Sequence, residues 1–349
     1  EVTVSATGLF TASESSITVR NLAPDRNVLI RGIRTQPLLV VELENIIVDN
    51  CEGAVLFEDC DFSISGGESV IIGASDSVTF VACQLFAAPT FASIAGSFFL
   101  AHVPYDGIIA SDSNLFLYDC EVRGSTGADS GSIIFGPATP PGPAAAGLSL
   151  RSSTLFASGC TITGGSGGSD TVGACDAGED GQPGLELRSS ALSGNSTAQL
   201  LDCTITGGTG GTGSCGAGDG LNAPGQLVNP GSSVLQNLGA ARSFVPSSPV
   251  QSGGLISLLF QGQAGDATFI YLSFGARPAL SFAPLPLALH LESPVSILTF
   301  GSLPTTGELQ VDLLVPALPG YQVYVGQAVF IAQNGGLFES GPRTVLVTP

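Results

Sequence analysis

Hydrophobic and polar residues alternate with period two along most of the chain, in short segments broken by Ser, Asp, Asn and Gly. The pattern is sharpest from Gly147 to Gly165, which reads Gly-Leu-Ser-Leu-Arg-Ser-Ser-Thr-Leu-Phe-Ala-Ser-Gly-Cys-Thr-Ile-Thr-Gly-Gly. It returns from Gly184 to Gly208 as Gly-Leu-Glu-Leu-Arg-Ser-Ser, an insert, then Ser-Thr-Ala-Gln-Leu-Leu-Asp-Cys-Thr-Ile-Thr-Gly-Gly. Looser copies run through Cys120 and Cys83, and a faint one ends at Cys60. Cys60, Cys83, Cys120, Cys160 and Cys203 thus hold one position of a repeat, at spacings of 23, 37, 40 and 43 residues. Each is followed by a polar and then an apolar residue, as in Asp61-Phe62 and Thr204-Ile205.

Alternation predicts strands with one face in and one face out. The repeats lack the two-residue turns that join antiparallel hairpins. A long repeat that returns the same residue to the same place predicts stacked coils, because one coil cannot bury its inner face alone. Stacking sets parallel strands about 4.8 Å apart, so equivalent residues form columns and the cysteines are one column. The expected fold is all-β: a right-handed parallel β-helix of roughly eight coils over residues 1–245. Strand candidates include Val2–Val4, Ser16–Val19, Leu38–Val41, Ala54–Phe57, Ile133–Phe135 and Leu185–Leu187. Three inserts, at 136–146, 164–184 and 207–220, map to loops on one side.

Pro, Ser and Gly cluster from Ser243 to Gly254, where a boundary is expected. Beyond it the strands lengthen: Leu255–Gln261, Ala267–Phe274, Leu285–Leu291, Val295–Phe300, Glu308–Val315, Tyr321–Ala332 and Thr344–Val347. With Asn334-Gly335 as a hairpin turn, residues 246–349 read as a small antiparallel β-sandwich serving assembly or attachment.

Composition narrows the function. The chain of 349 residues carries 29 acidic and 10 basic side chains, all of the latter arginine, for a net charge of -19. That charge repels phosphates and argues against nucleic acid or an anionic membrane as partner. Only 11% of residues are charged, mean hydropathy is +0.40 and 47 residues are glycine. Such a surface suits burial in an assembly. The stretch from Ser77 to Tyr105 lacks charge and is long enough to span a bilayer, but it follows the repeat and is expected to be a buried coil, not an insertion. The chain opens at Glu1, consistent with removal of a secretion signal or with a fragment. Eight cysteines without a Cys-x-x-Cys pair favour disulfides and an extracellular or cell-surface location.

The cysteines leave two pairings open. Equivalent loops after Cys160 and Cys203 suggest Cys160–Cys175 and Cys203–Cys215, each stabilising by ~3 kcal/mol, with Cys51, Cys60, Cys83 and Cys120 paired among themselves as Cys51–Cys60 and Cys83–Cys120. Column geometry equally allows Cys160–Cys203 with Cys175–Cys215. The acidic loop Asp170, Asp176, Glu179 and Asp180 is the candidate metal site, and calcium the one cofactor its carboxylates suggest; the two histidines, His102 and His290, are far apart. Asp119, Glu121 and Arg123 alternate as on one strand, with Asp59 and Asp202 at the place of Asp119 in other coils. They are the best carboxylate–arginine set for polysaccharide chemistry, against a plain solvent face. Asn195 opens the one N-glycosylation sequon.

Over residues 1–245 the coil architecture resembles the pectin-lyase-like β-helix superfamily, many of whose members are polysaccharide lyases or hydrolases. The galacturonase-type motifs, an Asp-Asp pair with Gly-His-Gly and Arg-Ile-Lys, are missing. The whole chain resembles large secreted Gly-rich β-helix proteins of environmental bacteria with a C-terminal β-sandwich. That resemblance implies export and a surface location rather than an activity. The expectation is therefore a non-enzymatic extracellular protein that self-assembles head to tail into a filament, tube or surface layer. The alternative is a carbohydrate-binding or carbohydrate-active protein with a polysaccharide partner.

Overall fold

The computed structural model describes residues 2–4, 16–33, 45–64, 70–87, 90–93, 100–130, 140–173, 175–188, 194–237, 239–274, 276–281, 288–291, 296–318 and 320–349. The strand candidates Leu38–Val41 and Ile133–Phe135 lie outside these. The described residues contain strands and loops and no helix, so none could cross a membrane as a helix.

Three parallel sheets of eight, seven and five strands run through the first two thirds of the chain. From Asn45 onward the chain visits them in a fixed order. It passes from the seven-stranded sheet (Leu148–Arg151, for example) to the eight-stranded sheet (Thr154–Ser158), then to the five-stranded sheet (Thr161–Thr163) and back. Among the described residues before Asp61, strands lie only in the first two sheets. Pairing is in register, so Leu115, Leu155 and Ala198 are neighbours, as are Val122, Ile162 and Ile205. Inward columns of Val, Ile, Leu and Phe close into one continuous core, in which the Phe57 and Phe80 rings stack at 4.6 Å. Burying apolar area at about 25 cal/mol per Å² is what drives the stack together.

Two of the three corners are tight. Leaving the seven-stranded sheet, Asn21, Asn50, Ala74, Asp112 and Ser152 all have φ between 42° and 53°. Leaving the eight-stranded sheet, Asp59, Ala82, Asp119, Gly159 and Asp202 have φ between 51° and 67°. This left-handed region favours Gly, Asn and Asp, which explains the recurrent Asp and Asn before each column residue. The third corner carries the inserts. Between Gln84–Ala87 and Ile108–Ser111 the insert includes an antiparallel pair, Thr90–Ser93 with Leu100–Val103. The sequence pattern gave no turn signal for this pair.

From Ser243 the topology changes to mostly antiparallel. Strands Ser243–Pro246, Leu255–Gln261 and Glu308–Leu314 form one sheet. Ala267–Ser273, Ser296–Ser302, Gln322–Ile331, Leu337–Glu339 and Arg343–Thr348 form another, joined by the short parallel strand Val250–Gln251. Asn334 and Gly335 make the hairpin turn before Leu337–Glu339. Phe244, Phe260, Phe300 and Phe330 meet between the two sheets.

These C-terminal sheets fold back against the coils. The outer face of the eight-stranded sheet is buried beneath them, with Leu56, Val81 and Tyr118 at 2% exposure or less. Ala54–Glu58 and Ser77–Val81 are therefore buried at every position, the signature of a strand covered on both faces.

Candidate functional site

The cysteine column lies at the corner into the five-stranded sheet. Each left-handed residue turns the chain, and the next residue points its side chain inward. There the thiol donates to the carbonyl two residues back: Cys60 to Glu58 O at 3.3 Å, Cys83 to Val81 O at 3.4 Å, Cys120 to Tyr118 O at 3.2 Å and Cys160 to Ser158 O at 3.3 Å. Cys203 does the same with Leu201 O at 3.4 Å. Each of these carbonyls also accepts a backbone N–H from the preceding coil, Glu58 O from Gly32 N and Val81 O from Asp59 N, so the thiol is a second donor at the corner.

The preceding corner is built alike, with serine. Ser75, Ser113 and Ser153 donate to the carbonyl two residues back at 2.7–2.8 Å. Each also accepts from the backbone N–H of its neighbour one coil away, Ser75 from Cys51 N and Ser113 from Ser75 N. Cys51 belongs to this serine column and donates to Asp49 O. In the sequence the column stands as Asn50-Cys51, Ala74-Ser75, Asp112-Ser113 and Ser152-Ser153, each after a strand of the seven-stranded sheet.

Cys51, Cys60, Cys83, Cys120, Cys160 and Cys203 are thiols, and one disulfide joins Cys175 to Cys215 with a Cα separation of 4.9 Å. The loop-closing pairs Cys160–Cys175 and Cys203–Cys215 are not formed, nor are Cys51–Cys60 and Cys83–Cys120. The loops run side by side instead of closing on themselves, so Cys175 meets its counterpart one coil on. Burial pushes the thiols of Cys83, Cys120 and Cys160 well above the usual range. Contact with Cys83, followed by burial, raises Cys60. Cys203 differs: hydrogen bonding with the Cys160 thiol brings it below its usual value, against a smaller effect of burial.

The Gly-rich inserts are layered. Gly124, Gly127 and Ser130 donate N–H bonds to the carbonyls of Thr163, Ser166 and Ser169. Gly164, Gly167 and Asp170 donate likewise to Thr206, Thr209 and Thr212. The three-residue period is that of an extended polyproline-type chain. Backbones touch directly: a Cβ on Gly165 would lie 1.8 Å from Ser125 O. The signal was present as Gly-Gly-Ser-Gly-Gly-Ser from Gly164 and Gly-Gly-Thr-Gly-Gly-Thr from Gly207.

The four acidic candidates do not converge. Asp170 is buried; its Oδ1 accepts from Ser130 Oγ at 2.7 Å, Gly173 N at 3.1 Å and Val172 N at 3.3 Å. Its Oδ2 accepts from Asp176 N and Ser214 Oγ. This carboxylate organises the loop tip beside the disulfide. Asp180 accepts from Leu221 N at 2.7 Å, and Asp176 and Glu179 do not join it in a ligand set. Among the described residues no group of three or more His, Cys, Asp or Glu could hold a metal ion.

Asp119, Glu121 and Arg123 also part company. Asp119 occupies the left-handed corner, not a strand, and its carboxylate lies over Gly159. Burial raises its pKa, opposed by Arg343 from the C-terminal sheets. Glu121 accepts from Arg123 at 3.0 Å on the open face of the five-stranded sheet, where the guanidinium covers the Phe86 ring. Asn195 is exposed.

Two polar clusters tie the C-terminal sheets to the coils. Glu58, 1% exposed, accepts from Thr344 N and Thr344 Oγ1, and lies between Arg31 and Arg343. Burial nevertheless raises its pKa. The Tyr118 hydroxyl donates to Glu339 Oε1 at 2.9 Å and lies 3.0 Å from His290 Nε2. His290 Nδ1 faces Thr79 Oγ1 at 3.4 Å, so the neutral imidazole donates from Nε2 and accepts at Nδ1. Burial pushes its pKa down to about 3. Neither cluster was readable from the sequence, because its bonds join the coils to residues 172 to 286 positions further along the chain.

The last coil is open. Gln226–Val228, Ser233–Asn237 and Thr204–Thr206 are each the terminal strand of their sheet. Val228 is 40% exposed, whereas its column mates Leu187 and Leu150 are at 0%. Cys203, Ile205 and Val234 are only partly buried, and Leu235 is 59% exposed. Among the described residues the hydrophobic core ends here at a surface of unpaired strand edges.

These features define an all-β protein of stacked parallel coils with antiparallel C-terminal sheets. No protein-family model matches the sequence, and no curated protein matches it. Among solved structures, a superoxide reductase (neelaredoxin) from Ignicoccus hospitalis aligns at 12% identity over 31% of this chain and 81% of that one, with a TM-score of 0.20. The soluble domain of PmoD from Methylocystis sp. aligns at 10% identity over 28% and 76%, with a TM-score of 0.18. Superpositions this loose carry no argument about function.

Proposed function

We propose that this chain is a non-enzymatic structural protein of an extracellular or cell-surface assembly, built from a right-handed parallel β-helix (1–245) and a β-sandwich (246–349). The open last coil supports this reading best. An exposed strand edge recruits another strand, and here three edges surround the exposed end of a hydrophobic core. The surface that fits them is a second copy presenting its first coil, which has the same parallel direction and coil spacing. The two ends of the stack are different surfaces, so the contact is heterologous and propagates into a filament. The C-terminal sheets pack along the side of the stack, which leaves the last coil free for that contact.

Negative-stain electron microscopy and light scattering of the purified protein test the proposal. Filaments or tubes are expected for the wild type, and dispersed particles of unchanged secondary structure for Val228→Asp, which places a charge on the core end. A wild type that stays monomeric at high concentration overturns it.

The alternative, a carbohydrate-binding protein, draws on the open face of the five-stranded sheet, where Thr161, Thr204, Thr206 and the Glu121–Arg123 pair are exposed. Retention of the monomer on an acidic polysaccharide, lost in Arg123→Ala, would favour it.

A further inference from the structure

The five thiols of the column are not equivalent. Four are enclosed, with Cys60, Cys83, Cys120 and Cys160 at 1–2% exposure. Cys203 stands on the last coil and is partly exposed. Its inner neighbour in the column is Cys160, one coil back. The backbones are locked together at this point, since Thr204 N donates to Cys160 O at 2.9 Å and Thr161 pairs with Thr204. Neighbouring strands stand about 4.8 Å apart, inside the Cα range of roughly 4.4–6.8 Å that a disulfide spans. The same two coils already carry Cys175–Cys215 in the loop layer.

We propose that Cys203 and Cys160 are a redox-active pair, in which Cys203 attacks a low-molecular-weight disulfide at the open end of the stack and Cys160 resolves the adduct into a second inter-coil disulfide. A reactive cysteine is a partly exposed one held toward its thiolate. Cys203 meets both conditions, and the other column thiols meet neither. In the first step the Cys203 thiolate forms an S–S bond to one half of the small disulfide, and the other half leaves as thiolate and takes up a proton. In the second step the Cys160 sulfur, giving up its proton, attacks the Cys203 sulfur, and the remaining small thiol leaves and is protonated. One small disulfide is reduced to two thiols, and Cys160 and Cys203 are oxidised to one disulfide. The burial that raises the Cys160 thiol makes the second step the slow one.

This inference is independent of the assembly proposal and concerns the unassembled chain. A copy docked on the last coil would cover Cys203, so disulfide uptake would also report how far the end is occupied.

The test treats the native full-length monomer with oxidised glutathione, quenches with acid and maps the cysteine peptides by mass spectrometry. The wild type should end with Cys160 linked to Cys203 and no retained glutathione. Cys160→Ser should retain one glutathione on Cys203, and Cys203→Ser should remain unmodified in the column. The proposal is overturned if Cys203 stays unmodified while the denatured chain reacts, or if glutathione remains on Cys203 in the wild type without a link. Should Cys160→Ser not fold, the wild-type map alone decides, because the linked peptide is either found or absent.

Discussion

At the scale of single residues, the corner chemistry explains most of what repeats. A left-handed residue turns each tight corner, and except at Asn21 and Gly32, which Leu22 and Ile33 follow, the next residue is a Ser or Cys that donates back across it. The sequence displays this directly, because the arrangement is local. The opposite case is Arg242, which is fully buried and bonds Asp266 Oδ2 through Nε at 2.5 Å. Its Nη2 has no hydrogen-bond partner among the described residues, and the guanidinium lies 4.2 Å from the Phe338 ring centroid. The ring face offsets part of that deficit. Removing one member of a buried ion pair leaves the other charged and dry, which typically costs about 3–5 kcal/mol. Arg242→Leu should accordingly lower the unfolding free energy from urea titration by an amount in that range, with Arg242→Leu/Asp266→Leu recovering part of the loss. A single variant no weaker than wild type would show that the pair is not stabilising.

At the scale of elements, the inserts behave as a layer rather than as loops. Their sequences read as loops because Gly, Ser and Thr dominate loops and this layer alike. What separates the two is the three-residue spacing of glycine, which puts the bare Cα of Gly124, Gly127, Gly164, Gly165, Gly167 and Gly168 against a neighbouring backbone. Gly165→Ala must push two backbones apart at a site where neither can yield, and a loss of about 3 kcal/mol is expected. Gly218→Ala meets nothing within 4 Å and should be neutral. Thermal melts of the two variants decide the matter: equal melting points would mean that the layer contributes no packing. The sequence left two cysteine pairings open for the same reason, since a loop that closes on itself and a loop that lies against its neighbour have the same composition; the structure forms Cys175–Cys215, from the second of them.

At the scale of the whole molecule, the C-terminal sheets are held to the coils through the Tyr118–His290–Glu339 and Glu58–Arg31–Arg343 clusters. His290 is neutral when folded and binds a proton readily when unfolded, so its lowered pKa makes stability fall as pH drops from 6.5 toward about 3. The slope approaches ~1.4 kcal/mol per pH unit for one proton. Glu58, Asp106 and Asp119 act in the opposite sense: their raised values favour the protonated folded form, so they lend stability as pH falls through those raised values and lose it as pH rises. Urea midpoints of wild type and His290→Gln compared between pH 7 and pH 4 separate the two effects, because the carboxylates are common to both. The wild type should lose more than the variant, by roughly 1 kcal/mol per unit below pH 6. Parallel curves would place His290 outside the linkage.

The sequence by itself determined the coils. Alternation, the cysteine spacing and the turn residues are short-range or strictly periodic features, and in-register stacking follows from them because each coil can bury its inner face only on the next. The longer alternating strands after Ser243 and the Asn334-Gly335 turn announced the antiparallel sheets in the same way. Only the tertiary structure decided where those sheets lie, which cysteines meet, and that Asp119 and Arg123 face different surroundings. Those outcomes depend on side chains brought together from distant parts of the chain. A residue such as Tyr118 or Glu58 carries no local mark of the partner that will cover it, since both faces of its strand obey the same alternation whether they meet water or another sheet.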